Sequence, residues 1–99
     1  MIIVGGTVRA TAQALEALRP EMLKVLEANR KEDGCISFDF AVSVSDPGTL
    51  VVFERWRDAA ALAAHSKSAH VAAWREAVGK AGAMDRQLMR WETDEGVKL

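Results

Sequence analysis

Residues 50–70 read Leu50-Val51-Val52-Phe53-Glu54-Arg55-Trp56-Arg57-Asp58-Ala59-Ala60-Ala61-Leu62-Ala63-Ala64-His65-Ser66-Lys67-Ser68-Ala69-His70. The segment from Leu50 to Arg57 is short and rich in β-branched and aromatic residues, which predicts a strand. Its two faces are Leu50, Val52, Glu54, Trp56 and Val51, Phe53, Arg55. Asp58 is an N-cap for a helix running through Ala61 and Leu62 to about His65. Ser66-Lys67-Ser68 breaks that helix, and Ser68 caps a continuation to about Lys80. Its apolar stripe is Val71, Trp74 and Val78, with Ala77 and Ala81 beside it. Gly82 stops it.

Upstream, Ser45-Asp46-Pro47-Gly48-Thr49 has turn composition, with Pro47 fixing one φ and Gly48 freeing the next. Before it, Cys35 to Val44 alternates. Ile36, Phe38, Phe40, Val42 and Val44 share one face, and Cys35, Ser37, Asp39, Ala41 and Ser43 the other. The two strands therefore form a hairpin. Thr11 caps a helix beginning at Ala12, with Leu15, Leu18, Met22, Val25, Leu26 and Asn29 on one face. Pro20 predicts a kink or two abutting helices, and Gly34 a C-terminal stop. Ile2 to Arg9 reads as the first strand and Met84 to Thr93 as the last, with Leu88 on one face and Met89 and Trp91 on the other. The tail from Asp94 to Leu99 is polar.

The order β-α-β-β-α-β defines an α+β class, a ferredoxin-like sandwich whose antiparallel sheet carries helices on one face. The whole chain, residues 1–99, is one domain. Its other sheet face would be bare, and Leu50, Val52, Trp56 and the Met89/Trp91 pair are expected there. A face so apolar predicts a homodimer that buries it, a dimeric α/β barrel paired through the sheet faces.

Composition narrows the function. Apolar residues make up 49% of the 99, and the formal charge is -1, which argues for an ordered globule and against disorder or a nucleic-acid partner held by bulk charge. The basic residues are scattered, with no run longer than Arg30-Lys31. Cys35 is the single cysteine, so no intrachain disulfide forms and no cysteine-based zinc site is expected. The apolar runs are too short to span a membrane, and the first residues lack a charged leader. A cytoplasmic domain with no membrane contact is the expectation. Nucleotide-binding glycine loops and a Gly-x-Ser-x-Gly elbow are both missing.

His65 leads the candidates for chemistry. It falls about two turns into its helix, where an imidazole can reach a cleft against the sheet, and its pKa range suits proton abstraction from a phenol or enol. Trp56 can stack on a planar ligand or donate its N–H to an oxyanion, or simply fill the core. Glu54, a carboxylate on an apolar strand face, is a possible base or orienting partner for His65; a salt bridge to Arg9, Arg86 or Arg90 is the competing fate. His70 and Trp74 are adjacent at i, i+4, a packing pair. On a straight helix His65 and His70 point about 140° apart and make a poor metal pair, so no metal site is expected.

The Glu32-Asp33-Gly34-Cys35 turn, Phe38, Glu54-x-Trp56, Asp58, Leu62, His65 and Ser68-Ala69-His70 together resemble the antibiotic biosynthesis monooxygenase family. The resemblance covers most of the chain. It implies a small ferredoxin-like dimer, and in some members oxidation of quinols or anthrones by O2 with no metal or flavin. The leading reading then makes His65, a position where relatives commonly keep a histidine, and Glu54 the catalytic pair, with Trp56, Phe38 and Trp74 binding a small aromatic substrate and no cofactor required. The family also holds haem-degrading enzymes, an isomerase and members without known activity. Gly5, Gly6 and Thr7 stand where the haem degraders supply an Asn, His65 stands in place of their Trp, and Phe38 replaces a common Tyr. The chain has no tyrosine at all, so a phenolic donor is excluded. An isomerase of the same fold, or a non-catalytic dimeric ligand-binding protein, remains the alternative.

Overall fold

The computed structural model describes residues 1–83 and 85–99. Strand β1 (Ile2–Arg9) leads into helix α1 (Ala12–Arg30), followed by β2 (Cys35–Val42), β3 (Thr49–Trp56), α2 (Ala59–Ser66), α3 (Ala69–Lys80) and β4 (Asp85–Glu92). The four strands form one antiparallel sheet in the order β2-β3-β1-β4. This is the ferredoxin-like α+β fold, with the second helix split in two. Among the described residues no helix is long and apolar enough to cross a membrane. Met84, expected to open the last strand, lies outside the described residues.

Each helix starts where a short polar side chain satisfies a free backbone N–H. Thr11 Oγ1 accepts from Ala14 at 3.0 Å, Asp58 Oδ1 from Ala61 at 2.8 Å and Ser68 Oγ from Val71 at 3.3 Å. Caps of this kind contribute about 1 kcal/mol each. Pro20 sits inside α1, which the structure keeps as one element. The helix ends at Arg30 with Lys31 as its cap, rather than at Gly34. Gly34 belongs to the turn that follows, at φ +86, where an added Cβ would lie 2.5 Å from Ala61 Cβ.

Two expectations about strand faces need correction. Leu50, Val52 and Trp56 lie under the helices, buried with Ile2, Val4, Leu26 and Phe38, and are not on the bare face. The bare face is the opposite set, where Phe53, Met89 and Trp91 are 47%, 62% and 49% exposed and Trp91 pairs with Ile3, Met89 with Gly5 and Phe53 with Gly5. In β2 the alternation slips. Cys35 pairs with Trp56 and Ser37 with Arg55, so Ile36 is an extra residue between them. That irregularity turns Ile36 outward and lets Cys35 pack on the core beside Phe38.

Gly6 marks the tightest strand crossing. Its φ is +147, and a Cβ there would stand 1.9 Å from the carbonyl oxygen of Gln87 on β4. Gly6→Ala is expected to destabilise the fold by at least about 2 kcal/mol, read as a lowered midpoint in urea at unchanged m-value.

Candidate active site

β3 places Glu54 and Trp56 on the buried side of the sheet, two residues apart and on one face. Trp56 is 0% exposed, and its indole N–H donates to Glu54 Oε1 at 2.9 Å. The ring packs edge-on to Phe38, at a centroid distance of 6.3 Å, and tilts against the His65 imidazole at 4.6 Å. Phe38 closes the group at 5.6 Å from His65. His65 therefore leans on an aromatic floor and can tilt little.

The orienting contact on His65 comes from Glu32, not Glu54. Nδ1 of His65 lies 2.6 Å from Glu32 Oε2, the length of a charge-assisted hydrogen bond. The second oxygen of the same carboxylate is 3.2 Å from His70 Nε2. Local structure explains the convergence. Backbone N–H of Arg57 donates to the Gly34 carbonyl at 2.8 Å, and the Arg57 guanidinium grips both oxygens of Asp33 at 3.1 and 3.3 Å. The 31–34 turn is thereby docked on the start of α2. The break at Lys67 and the new cap at Ser68 redirect the chain, so His65 and His70 do not diverge as they would on a straight helix. Their rings are 6.2 Å apart, with Glu32 between them.

Glu32, His65 and His70 are also a group whose donor atoms lie within 4.8 Å of one another. Two ligands of a tetrahedral zinc, each about 2.0–2.1 Å from the ion, sit roughly 3.3 Å apart. The 2.6 Å approach of His65 to Glu32 is too short for that and fits a shared proton. A bound ion would require the pair to separate.

Burial pushes the His65 pKa down, against an upward pull from the hydrogen bond and charge of Glu32; His70 and Arg75 add smaller downward pushes. The imidazole thus favours its neutral form. With Glu32 on Nδ1, the tautomer that donates there leaves the Nε2 lone pair free. Burial raises the Glu54 pKa, opposed by the Trp56 N–H and the charge of Arg86, with Glu32 pushing it up further. Cys35 is likewise pushed up by burial first and then by Glu32 and Glu54, so it stays a thiol and packs as one.

A cavity of about 350 Å³ opens between the sheet and α3. His65, Glu54, Phe38 and Trp74 line it, as do Phe40 and Asn29. Trp74 is stacked on Phe40 at 5.1 Å. Of the residues singled out in the sequence, four meet at this cavity, while Trp56 lies beneath it as the support of His65. Among the described residues Glu54 has no cationic partner within ion-pair distance; the expected bridges to Arg9, Arg86 or Arg90 do not form. Glu32 was legible only as part of a turn, because the residue that needs it is 33 positions away. Asn29 read as one more position on the buried face of α1. Its Oδ1 is buried without a hydrogen-bond partner among the described residues, which costs roughly 1–3 kcal/mol.

The comparisons place these features in a known group. A family model described as antibiotic biosynthesis monooxygenase matches residues 1–77. Rv0793 of Mycobacterium tuberculosis, provisionally named a monooxygenase, is 42% identical over 67 residues, 68% of this chain and 65% of that protein's length. YcnE of Bacillus subtilis, with the same provisional name, is 27% identical over 70 residues, 71% of this chain and 74% of that one. A Deinococcus radiodurans crystal structure, provisionally described as an antibiotic biosynthesis monooxygenase, superposes with a TM-score of 0.92 at 26% identity. It covers 100% of this chain and 98% of that one.

The Glu54 environment sets a sign for pH dependence. Its folded pKa lies above the unfolded value, so the folded state favours the protonated carboxyl. Stability is lost as pH rises from the ordinary carboxyl range through the folded value. Glu54→Gln keeps an acceptor for Trp56 and removes the buried charge. It is expected to raise stability at pH 7 by on the order of 1 kcal/mol, a gain that shrinks to nothing near pH 4 in paired thermal melts.

Proposed function

Since the chain belongs to the antibiotic biosynthesis monooxygenase family, we propose that it oxidises a small electron-rich aromatic, of quinol or anthrone type, with O2 and without a cofactor. The observation that carries this reading is the carboxylate–imidazole pair, Glu32 on Nδ1 of His65 at 2.6 Å, with the ring lining an apolar cavity. A base oriented this way matches the demand of the chemistry. Nε2 takes the proton of a substrate hydroxyl, and the resulting anion is electron-rich enough to pass an electron to O2. Recombination forms a carbon–oxygen bond. One oxygen atom stays on the ring system, and the other leaves as water with the two hydrogens the substrate gives up. The reducing equivalents come from the substrate.

Phe38 and Trp74 wall the cavity and would hold the ring. Trp56 acts from below by fixing His65. Glu54, protonated more readily than an ordinary carboxyl, would place a proton or a hydrogen bond near the developing oxyanion. His65→Gln is expected to reduce kcat/KM for O2-dependent oxidation of reduced naphthoquinols by about 10²-fold, measured as oxygen uptake above a no-enzyme blank. Glu32→Gln removes the anion that raises the His65 pKa. The acidic limb of its kcat/KM profile should move to lower pH while the plateau falls about tenfold or more. Uptake no faster than the blank across a panel of quinols and anthrones would overturn the reading.

The working unit is a homodimer joined through the bare sheet face, where Phe53, Met89 and Trp91 expose a contiguous apolar surface. Phe53→Glu combined with Trp91→Glu should shift the sedimenting species from two chains to one, without loss of helical signal.

A further inference from the structure

Asn29 is a polar group in the cavity that the oxidation scheme does not use. It is 1% exposed, lines the cavity, and its Oδ1 lacks a donor among the described residues. It stands at the Phe38 end, since its neighbour Arg30 donates from Nε to the Phe38 carbonyl at 3.1 Å. An interior acceptor of this kind is satisfied when the occupant of the cavity brings an O–H or N–H.

The other end of the cavity carries a cation. Glu54 pairs with Val4 across β1 and β3, while Arg86 pairs with Val8 across β1 and β4. Four residues of strand, about 13 Å, separate those backbone levels, and the long Arg86 side chain closes part of that distance, since its charge still acts on Glu54. Arg86 lines the cavity, and among the described residues no carboxylate lies within ion-pair distance of it. Asp85 next to it also lines the cavity, and its Oδ2 accepts from the Gln87 side chain at 3.2 Å. Between the two ends the walls are apolar and aromatic, with Phe40, Trp74 and Leu88 among them.

We infer that the cavity takes a hydroxylated aromatic acid, with a ring hydroxyl donating to Asn29 Oδ1 and the acid group meeting Arg86 at the far end. The inference rests on the reading of the cavity as an aromatic-binding site and adds the substrate class. Phe40 and Trp74, stacked on each other at 5.1 Å, line the cavity and offer a planar ring an aromatic wall. A guanidinium is suited to two-pronged recognition of a carboxylate. Arg86 is exposed, so its contribution should weaken as salt rises.

Anaerobic titration calorimetry tests this without requiring turnover, using 1,4-dihydroxy-2-naphthoate, its methyl ester and 2-naphthoate as probes. The wild type should bind the dihydroxy acid about tenfold more tightly than either comparator. Arg86→Gln should abolish the preference for acid over ester and keep the preference for the hydroxyls. Asn29→Leu should do the reverse and melt no lower than wild type, because an apolar side chain replaces an unpaired amide. Should that variant fail to fold, Asn29→Ala carries the same comparison. An ester bound as tightly as the acid overturns the anionic end and leaves the aromatic cavity standing. Loss of 2-naphthoate in Asn29→Leu as severe as loss of the dihydroxy acid assigns Asn29 to packing or a structural water and overturns the other end. If none of the three probes binds, the aromatic cavity falls as well.

Discussion

The indole N–H of Trp56 is the constraint around which the interior is arranged. A tryptophan with no solvent access must find an acceptor inside the protein, and Glu54, two residues earlier on the same strand face, provides it at 2.9 Å. That solution brings a carboxylate into the core. Its charged form is disfavoured by burial, which makes it a group able to hold a proton under conditions where an exposed glutamate would not. Packing and chemistry therefore share a side chain. The large ring also gives His65 its resting surface, so the same residue that fills the core limits the motion of the proposed base.

Glu32 has the complementary role at the other side of the imidazole. One carboxylate meets two imidazoles from different helices, and the turn that presents it is held by the Arg57–Asp33 pair and by Gly34 against α2. Exposed ion pairs contribute little to stability. Here the Arg57–Asp33 contact serves position, because it fixes a turn whose neighbour must reach a buried ring. The two histidines of the chain thus share one carboxylate, which ties the start of α3 to the end of α2.

The strand positions, three helix caps and the break before Ser68 were all legible in the sequence, because each is a local matter of residue type or of a short polar residue reaching the backbone nearby. His65 and Glu54 stood out for the same reason, as ionisable groups on otherwise apolar faces. Which face of β3 meets the helices was not legible. Both rows carry large apolar residues, and the choice depends on how the sheet is covered. The slip at Ile36 was also invisible, since Cys35 to Val42 alternates well without it. Glu32 looked like an ordinary turn residue, and Asn29 like one more position on a buried helical face.

Taken alone, then, the order of residues determined the element sequence, the α+β class, the caps and the family whose features the chain carries. These follow from interactions between near neighbours and from hydrophobic period, which every segment expresses by itself. The tertiary structure decided which carboxylate orients His65, that Trp56 supports the site from below, and that Asn29 opens an unpaired acceptor into the cavity. Those outcomes depend on contacts such as Glu32 with His65, 33 residues apart. Such a contact exists only after the 31–34 turn has docked on α2 and the helix break has turned α3 back toward it.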